Sequence, residues 1–258
     1  MSWFEALDNI KPYIFKIATP NGTGTGFQIS YSPIQQLCGI ATAYHVIAHA
    51  FEWEEPIKVT LHETNQYLVL KPTPDSRIII PYPEKDLAFI LFDKQGLNLN
   101  TNTPNLVPPQ SSLKPGVEIG WCGFPSVAPN ELCFFAGYTS CWLANDQAYL
   151  VDGVAINGVS GGPAFFVNET NQPMICGVIS AYISNKATGE TLPGLSVVRS
   201  VEPYQPMLEN LKSLDQAEQI VEEQKTKSEI SQPINENAGI NEKKQSKKSK
   251  KKISKAKS

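Results

Sequence analysis

The segment 156–163, Ile-Asn-Gly-Val-Ser-Gly-Gly-Pro, offers one hydroxyl among three glycines at the edge of an apolar strand. A serine hydroxyl is a weak nucleophile near neutral pH, so catalysis by Ser160 requires a base for its proton and donors for the oxyanion that forms on attack. Glycine adopts backbone angles closed to other residues, so the amides of Gly158 and Ser160 are predicted to converge as those donors. By itself, such a segment is more often an ordinary turn.

Two segments upstream supply candidates for the base and for the group that orients it. His45 lies at the end of the apolar, small-residue run 38–46, which suits an imidazole held at the end of a buried strand. Asp86 precedes the strongly apolar run 87–92, where its carboxylate would hold one tautomer of His45 and stabilise the imidazolium. Three other aspartates compete for this role from turn-like or strand-end positions: Asp75, Asp93 and Asp152.

In chain order, these motifs resemble those of trypsin-like serine peptidases of the chymotrypsin fold, and most closely the disulfide-free branch that includes the HtrA-like proteases. The segment 42–46 (T-A-Y-H-V) is similar to the family's T-A-x-H-V motif, 86–88 to its D-L-A motif, and 158–163 to its G-x-S-G-G-P motif. The segment 22–27 resembles the glycine-rich G-x-G-T-G-F motif ahead of the histidine. Two departures, Tyr44 in place of a common alanine and Val159 in place of asparagine or aspartate, remove no catalytic group.

The resemblance implies a serine endopeptidase that cleaves polypeptides through an acyl-enzyme. Ser160 would attack, His45 would transfer the proton, Asp86 would orient the imidazole, and the amides of Gly158 and Ser160 would form the oxyanion hole. The family's specificity positions correspond to Val154, Ser180, Ala181 and Tyr182. Because no carboxylate stands at these positions, we expect small or medium apolar residues on the acyl side of the cleaved bond.

Two other interpretations remain open. A non-catalytic protein-binding module on the same scaffold would carry the same three residues without an assembled site. His45 and His49 lie four residues apart, the spacing that places two imidazoles on one helix face for zinc, with Glu52 or His62 as the nearest third ligand. The H-E-x-x-H glutamate is missing, however, and we expect neither a metal nor a cofactor.

Charge is unevenly distributed along the 258 residues. Residues 1–241 hold 13 basic against 24 acidic residues, a formal charge of −11, whereas residues 242–258 hold nine lysines and one glutamate. The body shows no basic run interleaved with aromatic residues, which argues against nucleic-acid binding there. The Lys-rich end is predicted to be disordered, either simply solvated or weakly attached to an anionic partner.

Compartment is predicted from the cysteines and the N-terminus. No secretory signal is visible at the N-terminus, and no stretch approaches the roughly 18 apolar residues of a membrane span. The five cysteines are odd in number and lie mostly in apolar segments, which favours reduced thiols and the cytoplasm. A bridge between Cys133 and Cys141 across a hairpin is the one disulfide left open.

The fold class predicted is all-β, with two antiparallel six-stranded barrels of chymotrypsin type, because strand-like segments recur without any alternation of strands and helices. We expect an N-terminal barrel with His45 and Asp86 in residues 1–100 and a C-terminal barrel with Ser160 in residues 101–202. A helix is expected over residues 203–225, followed by the tail at 226–258. The chain leaves too few residues after the protease-like region for a PDZ domain.

Overall fold

The structure, a computed structural model, describes residues 1–184 and 191–230, of which residues 181–184, 191–193, 222–223 and 225–230 are described by their backbone alone. The first half of the chain contains α1 (Trp3–Ile10), β1 (Ile14–Thr19), β2 (Gly22–Ser32), β3 (Leu37–Thr42), α2 (Tyr44–Glu52), β4 (Ile57–Leu61), β5 (Tyr67–Leu70), β6 (Ile78–Tyr82) and β7 (Leu87–Asp93). The second half contains β8 (Glu118–Gly123), β9 (Cys133–Leu143), β10 (Ala148–Asp152), β11 (Pro163–Val167), β12 (Pro173–Ser184), β13 (Thr191–Ser200) and α3 (Gln205–Ile230).

Helix α1 begins with a reciprocal cap. The Ser2 hydroxyl accepts the amide of Glu5, and the Glu5 carboxylate accepts the amide of Ser2, so two amides that the first turn leaves free are satisfied. Ala6 and Ile10 are buried on one face of the helix. The helix therefore covers the core with its apolar side.

The first half folds into one antiparallel sheet in the order β5-β4-β1-β2-β3-β7-β6. It has seven strands rather than the six predicted, since the run at 78–82 pairs with β7 as a strand of its own. No ladder between the edge strands β5 and β6 is found in the described residues. Beside this opening, the buried guanidinium of Arg77 donates to the carbonyls of Leu70, at 3.2 Å, and Ala50, at 3.1 Å. Arg77 thus joins the end of β5 to helix α2 beside this opening.

The second half forms a closed antiparallel barrel in the order β10-β13-β12-β11-β8-β9. Its interior contains large side chains that are fully buried, including Trp121 and Tyr149. The predicted all-β fold with a six-stranded C-terminal barrel is confirmed.

The disulfide considered between Cys133 and Cys141 is excluded, because both residues lie on the single strand β9 rather than on two strands of a hairpin. At about 3.3 Å per residue their Cα atoms are separated by about 26 Å, whereas a disulfide requires less than about 7 Å. All five cysteines are free thiols.

After β13, a short 3-10 turn at Glu202–Tyr204 leads directly into α3, which begins two residues later and ends five residues later than predicted. The Tyr204 hydroxyl is buried, and its single proton is shared between the carbonyls of Thr42, at 3.2 Å, and Ala88, at 3.0 Å. The C-terminal segment therefore holds the two first-half strands that lead to the predicted histidine and aspartate.

The chain divides into a compact unit of Met1–Gln219, which contains both sheets, and a second unit of Ile220–Ser258. Residues 231–258, where the Lys-rich tail is predicted, lie outside the described residues. Among the helices in the described ranges, none is long and apolar enough to cross a membrane.

Candidate active site

The structure brings His45 and Asp86 into direct contact. Nδ1 of His45 lies 2.8 Å from one carboxylate oxygen of Asp86 and 3.0 Å from the other. His45 is in the first turn of α2. Asp86 is the single residue between a 3-10 turn and β7, and it has a left-handed backbone conformation with φ of 50°. The short polar side chain of aspartate tolerates this conformation, and the sharp turn directs the carboxylate towards the start of α2.

Asp86 also caps helix α2. Ala43 occupies the N-cap position and has no side chain able to accept a hydrogen bond from the first turn. The carboxylate of Asp86 accepts the backbone amide of His45 at 3.0 Å instead. A carboxylate is favoured at a helix N-terminus, where amides lack partners and the helix dipole is positive, so the residue that orients the imidazole also stabilises its helix.

Ser180 supplies a further donor to this carboxylate. Its buried hydroxyl donates to Asp86, although the two residues are 94 positions apart in the chain. Burial alone raises the pKa of the Asp86 carboxyl, but hydrogen bonds and charge from His45, together with the Ser180 hydroxyl, outweigh burial and leave this pKa below its ordinary value. Asp86 is therefore held as an anion against His45.

Ser160 lies in the segment 153–162, here called the serine loop, which connects β10 to β11. Two of its glycines are required by geometry. Gly158 has φ of +93°, and a Cβ there would lie 2.2 Å from the carbonyl oxygen of Phe124. Gly161 has φ of +87°, and a Cβ there would lie 2.0 Å from the carbonyl oxygen of Thr25 in the first sheet. The glycines thus allow the loop to pass close to both halves of the molecule.

The predicted oxyanion donors are unoccupied. The amides of Gly158 and Ser160 have no hydrogen-bond acceptor among the residues that the structure describes. The Ser160 hydroxyl donates to the carbonyl of Ser180 at 3.2 Å, and no hydrogen bond joins it to His45 within the described ranges. Ser160 and His45 nevertheless line one pocket of about 370 Å³, together with Gly158, His49 and Ser126.

A larger pocket, of about 540 Å³, lies between β2, residues 101–109 and α3. Its lining includes Lys212 and Asp215 but no histidine, so it offers no base for a serine hydroxyl. The smaller pocket, which contains the candidate nucleophile and base, is therefore the candidate active site.

The predicted specificity positions are only partly placed. Val154 is 54% exposed and does not line the pocket of Ser160. Ser180, Ala181 and Tyr182 lie on β12, with the side chains of the last two outside the described set. Sequence reasoning considered Ser180 for substrate binding and missed its bond to Asp86, since no local pattern relates a strand serine to an aspartate in the other half.

The competing residues lie elsewhere. The three alternative aspartates are exposed and make no contact with His45 among the described residues. His49 pairs with Glu55 at 2.8 Å rather than sharing a ligand with His45. In the part of the chain that the structure describes, no group of three or more histidine, cysteine, aspartate or glutamate side chains is arranged to hold a metal ion.

No protein-family model matches the chain, and no curated protein matches it significantly. Solved structures do match. One is the thermostable serine protease AL20 from an extremophilic microorganism, at 16% identity and a TM-score of 0.57, over 78% of this chain and 98% of that one. Another is Rv3671c from M. tuberculosis, a serine-to-alanine mutant in an inactive form, at 15% identity and a TM-score of 0.53, over 81% of this chain and 90% of that one. At these identities the likeness shows a chymotrypsin-like fold.

Proposed function

We propose that the protein is a serine endopeptidase that cleaves peptide bonds through an acyl-enzyme. The observation that carries this proposal is the contact between the His45 imidazole and Asp86 on the pocket that also contains Ser160 and two free amides. A base held in one tautomer, a hydroxyl and unoccupied oxyanion donors are the components that acyl transfer requires.

The reaction proceeds in two balanced stages. The Ser160 oxygen bonds to the substrate carbonyl carbon while its proton passes to Nε2 of His45, and the oxyanion is bound by the amides of Gly158 and Ser160. His45 then gives the proton to the leaving amine as the carbon–nitrogen bond breaks. Water attacks the resulting ester with His45 as the base, releases the acid and restores the Ser160 hydroxyl.

Ser160 must rotate before it can react, since its hydroxyl donates to Ser180 in the unliganded protein. A side-chain rotation of this kind is fast compared with turnover, and catalytic hydrogen bonds often form only when substrate binds. The bond from Ser160 to Ser180 also favours one alternative function, a protein-binding module on this fold in which Ser160 does not form a hydrogen bond to His45.

Labelling with a fluorophosphonate separates the two functions, because only an activated serine forms the covalent adduct. We expect the wild-type protein to be labelled, Ser160→Ala to be unlabelled, and turnover in that variant to fall by about a million-fold. Ser126→Ala, which removes a different hydroxyl from the same pocket, is the matched control and should still be labelled. A wild-type protein that does not react would favour the binding module.

Substrates are proposed to be polypeptides with a small or medium apolar residue on the acyl side of the bond. No aspartate or glutamate is among the described residues that line the Ser160 pocket, which supports this proposal. Strand β12 would pair with the substrate backbone. Digestion of a peptide library checks it, and strict cleavage after lysine or arginine would contradict it.

Kinship with the HtrA-like branch, a cytoplasmic location and an anionic partner for the Lys-rich tail stay predictions from the sequence. Five free thiols support a reducing compartment. For the tail, binding to an anionic surface should fall steeply with salt and disappear when residues 240–258 are deleted.

A further inference from the structure

The buried side chain of Thr25 joins the first sheet to the serine loop. Its hydroxyl donates to the carbonyl of Gly158 at 2.8 Å and accepts the amide of Phe124 at 3.1 Å. Its own amide donates to the carbonyl of Ser160 at 2.8 Å. The side chain is fully buried, so water does not compete for these bonds. One residue of β2 therefore holds the backbone on both sides of Val159.

The other carbonyls of the loop are held as well. The carbonyl of Asn157 accepts both the amide of Ser126, at 2.7 Å, and its hydroxyl, at 3.0 Å. The carbonyl of Val159 accepts the amide of Gly162 at 3.0 Å. Four consecutive carbonyls, from residue 157 to residue 160, thus each have a donor.

These bonds determine where the oxyanion amides point. A trans peptide is planar, with its carbonyl and amide on opposite sides. The plane that contains the Gly158 amide also contains the Asn157 carbonyl, which Ser126 holds, and the plane that contains the Ser160 amide also contains the Val159 carbonyl. Thr25 holds the Gly158 carbonyl in the peptide between those two planes. Rotating the outer planes would break the bonds of the Asn157 and Val159 carbonyls, and rotating the middle plane would break the buried bond between Thr25 and the Gly158 carbonyl, which water does not reach.

We propose that Thr25 is a positioning residue that keeps the serine loop in the arrangement with both oxyanion amides free, so that the loop needs no activating partner. The proposal rests on the proposed peptidase function, because those amides act on the oxyanion of acyl transfer. Thr25 touches neither the substrate nor the reacting atoms. It acts through the Gly158 and Ser160 carbonyls, with Ser126 as a second, weaker restraint.

Thr25→Val tests the hydroxyl with little change in shape. It leaves the Gly158 carbonyl and the Phe124 amide buried without their partner, so the loop gains freedom to move. Because the oxyanion amides matter most in the transition state, kcat should fall by about 10- to 100-fold with KM nearly unchanged. Thr25→Ser retains the hydroxyl and should restore most of the lost kcat.

Thr139→Val is the matched control. Thr139 is also a buried strand threonine, at 1% exposure, but its hydroxyl has no hydrogen-bond partner among the described residues. Removing that hydroxyl should leave kcat and KM unchanged. Ser126→Ala retains the amide bond to Asn157 and should lower kcat only about two- to fivefold, within the usual strength of one neutral hydrogen bond.

Hydrogen exchange of the peptide covering residues 153–162 tests the restraint without relying on activity. Exchange should be faster in Thr25→Val than in wild type, and unchanged in Thr139→Val and Thr25→Ser. Identical exchange and identical kcat in wild type and Thr25→Val would overturn the proposal, as would equal losses in the two valine variants. If Thr25→Val does not fold, Ser126→Ala makes the same comparison for the Gly158 amide, with Ser140→Ala, which removes a hydroxyl from an exposed position of β9, as its control.

The two proposals fail in different ways. A wild-type protein that does not react with a fluorophosphonate contradicts the peptidase function, while the exchange comparison still decides whether Thr25 holds the loop. If the wild-type protein reacts and the Thr25→Val variant has the same kcat and the same hydrogen exchange as wild type, only the positioning role is contradicted.

Discussion

Helix α2 presents two imidazole–carboxylate pairs one turn apart on the same pocket. Nδ1 of His45 lies 2.8 Å from Asp86, and Nδ1 of His49 lies 2.8 Å from Glu55. The two imidazoles are similarly exposed, at 49% and 45% of their side-chain surface. By distance and by exposure, the pairs are equivalent.

The carboxylates differ in what else holds them. Asp86 comes from the start of β7, accepts the amide of His45 and the hydroxyl of Ser180, and lies at the N-terminus of α2. Glu55 lies beyond the other end of the same helix, and within the described ranges its carboxylate bonds only to His49. Contact between an imidazole and a carboxylate therefore does not identify a catalytic base. The additional donors to the Asp86 carboxylate are what distinguish the pair that we propose to be catalytic.

Replacing each histidine by alanine is the strongest test of this comparison. His45→Ala removes the proposed base, and kcat should fall by about a million-fold, as for loss of the nucleophile itself, because the two residues act as one unit. Steady-state kinetics on a cleaved peptide measures the loss.

His49→Ala is the control from the same helix, and its kcat should remain within about threefold of wild type, as usual for an exposed side chain outside the chemistry. A large loss in both variants would mean that the two imidazoles act together. Unchanged kcat in His45→Ala would remove the proposed mechanism.

Replacing the carboxylate of Asp86 should give the next largest loss of kcat. Asp86→Asn keeps the shape but cannot hold His45 in the tautomer with Nε2 free to accept a proton, so kcat should fall by about 10⁴-fold. Glu55→Gln makes the same chemical change beside His49 and should leave kcat almost unaltered. Similar losses in the two variants would contradict the distinction drawn between the pairs.

The sequence predicts the participants of the site better than their surroundings. His45, Asp86 and Ser160 each lie in a short motif with a recognisable local pattern, and the fold follows from recurrent strand-like runs. The partners that hold them have no such pattern. Ser180 and Thr25 are strand hydroxyls whose importance arises from contacts between the two sheets, and the packing of the two halves brings them to residues about 90 to 130 positions away.

Errors in the fold have the same origin. The run at 78–82 contains Pro81 and ends four residues before β7, so the sequence does not show it as a separate strand, and only its pairing with β7 makes it the seventh. Cys133 and Cys141 are eight residues apart in sequence, a separation that fits two strands of a hairpin, with Gly137 midway between them. In the structure this glycine lies inside β9, where a Cβ would collide with the carbonyl of Asp152 at 2.1 Å.

A substitution at Tyr204 tests how the strands next to His45 and Asp86 are held, and its expected effect is smaller. Its hydroxyl shares its proton between the carbonyls of Thr42 and Ala88, which lie on the strands leading to His45 and away from Asp86. Burial raises the pKa of this phenol well above its ordinary value, so it remains a donor at all working pH values. Tyr204→Phe should lower the free energy of unfolding by about 1–3 kcal/mol, measured by denaturant titration. Tyr82→Phe keeps the ring packed against Tyr204 and removes only a hydroxyl, so as the control it should leave the free energy of unfolding nearly unchanged.

The pH dependence of stability gives the smallest effect, and it depends on the anionic state of Asp86. Because the folded-state pKa of this carboxyl is below its unfolded value of about 3.9, its contribution is fully present above that value and is lost as the pH falls through the folded pKa. The difference in unfolding free energy between wild type and Asp86→Asn should therefore shrink as the pH is lowered from about 5 into that range. Ser180→Ala removes a donor to the Asp86 anion, which raises the folded-state pKa of Asp86 towards its unfolded value. The loss of unfolding free energy on acidification should therefore be smaller in this variant than in wild type and confined to a narrower range of pH. If the difference in unfolding free energy between wild type and Asp86→Asn stayed constant across the titration, Asp86 would not be stabilised as an anion.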